Sequence, residues 1–197
     1  MHCYPQRHET VLRSNLVALT AATAVTLDEF KIHLRMELDE TNQDDVLEMY
    51  IEAATKEAEL YTRRALRESS WQAITDRFHY CLALDVAPID VESIEVKYRD
   101  VNNVEQTLSS AQYTVKNFGP DEYLQIVFDG TSLPTLYDRW DAVKIEFDAG
   151  YEEVPAKIKV WIMDKAASLS ENRQDQVIGA VAHSVYSFAP LMPYRIL

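Results

Sequence analysis

Between Leu47 and Ala65 the apolar residues fall at alternating steps of four and three: Leu47, Ile51, Ala54, Ala58, Tyr61 and Ala65. Only a helix gathers such positions on one face, so the stretch predicts a long amphipathic α-helix whose stripe other parts of the chain must cover. Asp45, Glu48, Glu52, Lys56, Glu59 and Arg63 occupy the other side. Glu52–Lys56 and Glu59–Arg63 stand four apart with the acid first, an order that adds roughly a few tenths of a kcal/mol each.

The surrounding sequence fixes what this helix joins. Thr26-Leu27-Asp28-Glu29 fits a capping box, and Leu27, Phe30, Ile32 and Leu34 predict a short helix ending near Met36. The polar run ELDETNQDD predicts a loop, with Asn42 placed to cap the long helix. At Trp71 the pattern changes to short apolar or alternating runs: WQAITDRFHY, VESIEVKYRD, EQTLS, YTVKN, YLQIVFD and AVKIEFDAG. Turn signals separate them at Ala87-Pro88, Asn102-Asn103, Gly119-Pro120-Asp121 and Asp129-Gly130, which predicts about six strands in an antiparallel sheet or sandwich. Pro155 sits at a first helical position, and Ile158, Trp161, Ile162, Lys165, Ala166 and Leu169 carry helical spacing to about Ser170.

The predicted class is therefore α+β. Two N-terminal helices and one C-terminal helix make a small bundle, with an antiparallel sheet or sandwich inserted and extended arms at both ends. The expected divisions are an arm at 1–25, a helical core at 26–70 and 154–175, a β subdomain at 71–153 and a tail at 176–197. Leu16–Val25 faintly imitates a signal peptide, but Thr20 and Thr23 interrupt it, and it is read as part of the arm.

Composition narrows the function. Thirty-two acids against 19 Lys and Arg give a formal charge of −13, the wrong sign for a protein that reads DNA. Cys3 and Cys81 form no disulfide framework, which favours a reduced, intracellular origin. No apolar run reaches the ~18 residues of a membrane span. With glycine only at 119, 130, 150 and 179, neither a P-loop nor a dinucleotide fingerprint can be written. His79 with Cys81, on one strand, and His33 with Glu37, on one helix, have ligand spacing but no second pair beside them, so packed or solvated side chains account for both. Asp44-Asp45 and Glu152-Glu153 are acids at helix starts, where the dipole favours them. His183-Ser184 has no third partner. The sequence assigns no catalytic, cofactor-binding or metal-ligating residue.

The C-terminal segment is the oddity. No acid follows Asp175, and from Val177 to Leu197, 14 of 21 residues are apolar with Arg195 the only charge. Pro190 and Pro193 prevent a long helix. Such a segment needs a surface on which to fold.

FDAGYEEVPAKIKVWIMDKAASLSENR, an aromatic-Asp-Ala-Gly-Tyr strand end followed by a Val-Pro helix start, resembles the head–tail connector (adaptor) family of tailed bacteriophages. VTLDEFKIHLRMELDETNQDDVLEMYIEAATKEAELYTRRAL resembles that family's first two helices. Trp71 begins the β insertion of its longer members, and LMPYRIL resembles their terminal Tyr-Arg. The resemblance spans roughly residues 25–197. It implies a structural protein without catalysis or cofactor: a ring of about twelve copies in the virion neck, made in the host cytoplasm. The ring would lie beneath the portal, joined to stopper or tail proteins, with double-stranded DNA passing through without specific binding and no membrane involved. The tail then supplies portal-docking candidates, Tyr186, Phe188, Leu191, Met192, Tyr194 and Arg195. Residues 28–59 hold 11 acids against 3 bases, and among them Asp44, Asp45, Glu48, Glu52 and Glu59 are candidates for lumen or inter-subunit charge. Two other readings stand beside it: a stopper or tail-completion protein, expected to be mainly β, and a small hydrolase with a dispersed site, which requires a perturbed acid or histidine in a pocket.

Overall fold

The computed structural model describes residues 9–19, 23–116, 124–130, 132–171 and 187–196. These fall into two units, one made of residues 9–19, 63–151 and 196, the other of 23–62, 152–171 and 187–195. The α+β architecture read from the sequence is the one observed.

Nine strands build the first unit: β1 (Glu9–Leu12), β2 (Ser14–Leu19), β3 (Ser69–Thr75), β4 (Cys81–Leu84), β5 (Glu95–Arg99), β6 (Glu105–Thr107), β7 (Tyr113–Lys116), β8 (Gln125–Phe128) and β9 (Val143–Ala149). They form a four-stranded sheet, β1-β4-β8-β7, and a five-stranded sheet, β2-β3-β9-β5-β6. Every pairing is antiparallel except β1 with β4. β9 shows why the fold forms. Val143, Ile145, Phe147 and Ala149 are buried while Lys144, Glu146 and Asp148 point the other way, the period-two pattern of a half-buried strand. These residues join Leu82, Leu84, Ile126 and Phe128 of the other sheet in one apolar core, as in a sandwich.

The strand count exceeds the sequence expectation at three places. WQAITDRFHY breaks after Thr75, where Asp76 and Arg77 are exposed, and pairing resumes at Cys81. All four residues of β4 are buried, so no alternation marks it. His79 therefore precedes the strand: its Nδ1 lies 3.3 Å from Thr10 Oγ1, while Cys81 is buried. The segment read as an N-terminal arm supplies an edge strand to each sheet, crossing between them at Arg13, with a bulge between Leu16 and Ala18. The Ser14 N–H donates to Asp85 Oδ1 at 2.8 Å beside the crossing. Gly150, at φ +136°, follows β9 where a Cβ would lie 2.3 Å from the Arg67 carbonyl oxygen, so only glycine fits.

The second unit holds α1 (Leu27–His33), α2 (Asp44–Thr62), α3 (Ala156–Glu171) and a 3₁₀ turn at Ala189–Tyr194. The capping box is complete: the Glu29 N–H donates to Thr26 Oγ1 at 3.2 Å and the Thr26 N–H to Glu29 Oε2 at 2.9 Å. α1 ends before Met36 because Arg35 turns to φ 58°. α2 begins one residue later than an Asn42 cap requires, with the Gln43 carbonyl accepting from the Val46 and Leu47 N–H groups. It stops at Thr62, as Arg63 takes φ 56°. Ala65 thus lies beyond the helix, buried in the first unit with its N–H on the Ala87 carbonyl. The Pro155 carbonyl accepts the first bonds of α3, from Ile158 and Lys159. Phe30, Leu47, Ile51, Ala54, Ala58, Ile158, Ile162 and Leu191 are buried, and Glu29–Lys159 (2.9 Å) and Glu57–Lys165 (3.0 Å) tie α1 and α2 to α3.

Candidate functional site

At about 100° per residue, the predicted acids of α2 sort themselves by position. Asp45, Glu48, Glu52 and Glu59 lie within about 60° of one another around the axis, a single acidic row beside the buried stripe. Asp45 and Glu48 are exposed, and Glu52 and Glu59 are half-buried. Lys56 borders the row and pairs with Glu59 at 3.2 Å, rather than with Glu52 in the i,i+4 order read from the sequence. Arg63, expected to pair with Glu59, lies past the helix end.

Asp44 does not join the row. Its position falls on the side of Ile51 and Thr55, where Oδ1 forms an ion pair with Lys31 Nζ at 2.7 Å. Lys31 is buried at 1% exposure, and its ammonium also donates to the carbonyls of Glu40 (2.8 Å) and Leu38 (3.3 Å). One buried cation thus organises the loop between α1 and α2. Nothing in the sequence distinguishes Lys31 from a solvated base.

The predicted tail residues are divided as well. Tyr186 lies outside the described residues. The Phe188 ring stacks on Tyr61 of α2 (4.3 Å between centroids, 12° between planes) and on Trp161 of α3 (5.5 Å, 26°). Trp161 Nε1 donates to the Ser187 carbonyl at 3.2 Å. Arg195 places its guanidinium 5.4 Å from the Tyr61 ring centre, a cation–π contact. Leu191 is fully buried, Tyr194 is half-buried, and Met192 is 64% exposed. The tail candidates therefore differ in role: Phe188 and Leu191 anchor the turn to its own helices, and Met192 stands on its outward surface. Tyr61 and Trp161 carry apolar spacing in the sequence, but their stacking partner is not legible there.

The carboxylates with lowered ionisation owe it to hydrogen-bonded partners. Glu29 is held below the ordinary carboxylate value, first by the Thr26 backbone bond and then by Lys159. On the outer face of the five-stranded sheet, hydrogen bonds from Lys144 and Lys97 lower Glu146, while Glu146 and Glu95 raise Lys97. The His33–Glu37 spacing dissolves because α1 ends at His33, whose Nε2 lies 3.3 Å from Asp164 Oδ1. Among the described residues no three of His, Cys, Asp or Glu gather as metal ligands, and no helix is long and apolar enough to cross a membrane.

Residues 24–118 match the family model for phage gp6-like head-tail connector proteins. Over those residues the chain resembles the head–tail connector family. The chain is also similar to chains in three solved structures. One is the neck of an empty gene transfer agent (GTA) particle computed with C6 symmetry, at 25% identity and TM-score 0.72, covering 93% of this chain and 95% of that one. The second is the virion of a native gene transfer agent particle, at 24% identity and TM-score 0.70, covering 93% and 95%. The third is the neck of a native GTA particle computed with C12 symmetry, at 23% identity and TM-score 0.69, covering 93% and 96%. No curated protein matches this chain.

Proposed function

We propose that this chain is a connector, a structural subunit of the neck of a tailed, phage-like particle, forming a ring of about twelve copies between the portal and the stopper or tail proteins. The observation that carries the reading is the agreement of nearly the whole chain, 93% of it, with a chain from a particle neck. The ring encloses the channel through which double-stranded DNA leaves the head. The acidic row of α2 (Asp45, Glu48, Glu52, Glu59) faces that channel. Negative charge there repels phosphate, so DNA slides without the counterion release that drives binding to basic proteins. The tail docks on the portal through the outward side of its 3₁₀ turn, with Met192 and Arg195 in contact and Phe188 and Leu191 holding the turn in place. The subunit works by assembly, not by catalysis.

Co-sedimentation with the matching portal tests this, using the full chain and a chain ending at Ala180. The full chain is expected to bind and form rings and the shortened one to fail. Binding by both returns the tail to its own subunit. Binding by neither contradicts the connector position and moves the protein to another place in the neck.

A further inference from the structure

α2 has a third face. Val46, Met49, Ala53 and Leu60 lie within about 60° of one another around the axis, and all four are exposed, Met49 at 69% and Leu60 at 80%. Single exposed apolar residues are ordinary, but a row of four along one helix of an acidic protein marks a surface that is covered in use. The same unit offers a concave counterpart. A groove of about 480 Å³ runs between α3 and the 3₁₀ turn, lined by Ala156, Val160, Trp161, Pro190 and Pro193, with Lys157 and Asp164 beside them.

We propose that the α2 row of one copy seats in the groove between α3 and the tail of the next copy, and that this head-to-tail contact closes the ring. The inference rests on the neck-ring reading above. The occupant is a second copy for three reasons. First, a cyclic assembly such as the C12 neck to which this chain is similar joins two different patches on each subunit, and here one is a convex helix face and the other a groove. Second, copies carrying −13 each must meet where acids are few. The four row residues are uncharged, and Asp164, the groove's acid, already has His33 at 3.3 Å. Lys157, exposed beside the groove, supplies the positive charge that the acids flanking an incoming α2 require. Third, the apolar and acidic rows are centred about 100° apart around α2. Turning the apolar row to a neighbour leaves the acidic row a quarter-turn from the joint, the placement that a channel-lining row needs.

The test uses Leu60→Glu, which spoils the row, and Val160→Glu, which spoils the groove. Both sites are exposed, so circular dichroism should match the unmutated chain, and Met49→Lys serves as a second row variant. Native mass spectrometry and negative-stain imaging follow each chain alone and on the matching portal. The unmutated chain is expected to form rings, and each variant alone to need about tenfold more protein or to fail. A one-to-one mixture of Leu60→Glu and Val160→Glu should give heterodimers that grow no further, because one intact row meets one intact groove and the remaining patches are spoiled. Variants that assemble like the unmutated chain overturn the proposal, as does a mixture that fails to pair. An unmutated chain that forms no ring, alone or on the portal, instead overturns the neck-ring reading beneath it.

Discussion

Replacing Lys31 by methionine keeps the buried stem and removes the charge. The change deletes the ion pair with Asp44 and the bonds to the Glu40 and Leu38 carbonyls. Removing one partner of a fully buried pair costs about 3–5 kcal/mol. Here the Asp44 side chain retains 24% of its exposure, and Leu38 and Glu40 are exposed, so water can reach much of what is left behind. The expected cost falls to about 2 kcal/mol, roughly thirtyfold in the equilibrium between closed and open loop. Hydrogen exchange of the amides from 34 to 47 reads that opening directly, and urea denaturation reads its share of global stability. Asp44→Asn should reproduce most of the effect, and the double variant should cost less than the sum, since both remove one interaction. Glu48→Gln, on the exposed row, should change stability by less than about 0.5 kcal/mol. A Lys31→Met chain with unchanged exchange in this loop refutes the reasoning and returns Asp44 to the surface charge with which the sequence groups it.

Gly150→Ala should destabilise by at least about 2 kcal/mol, seen as a lower thermal midpoint, because the new Cβ meets the Arg67 carbonyl at 2.3 Å and φ is +136°. Phe188→Ala should free the 3₁₀ turn from Tyr61 and Trp161 at a cost of about 2 kcal/mol, detected as a changed near-ultraviolet signal and as weakened portal binding. Because the Glu29 carboxyl is lowered in the folded chain, its stabilisation is complete above the ordinary value of 4.5 and is lost as pH falls through the lowered one. Glu29→Gln should therefore flatten the fall of urea stability between pH 5 and pH 3, about the range in which carboxylates titrate, and an unchanged slope contradicts the assignment.

What was legible in the sequence is what local chemistry decides. The α2 stripe, the Thr26 capping box, the alternation of β9 and the Pro155 helix start each depend on neighbours within a few residues, and each is found. β1 and β2 escaped because their partners are about 60 to 70 residues away: Glu9 stands against Cys81 and Ser14 against Ala73. β4 escaped because burial on both faces removes the period of two. The acidic row was legible as far as helical spacing reaches. Asp44 parts from that row because Lys31, whose three-dimensional position the sequence does not give, draws it inward. The tail's composition announced that it must be covered, and Phe188 and Leu191 show that α2 and α3 cover part of it. No pattern in this chain describes what its outward side meets.

The most direct test of the neck assignment is to remove the gene from cells that produce the particle and count assembled particles by electron microscopy. A neck connector predicts DNA-filled heads and free tails that do not join, with joining restored when the full chain is supplied. Complete tailed particles in ordinary numbers without the protein contradict the account.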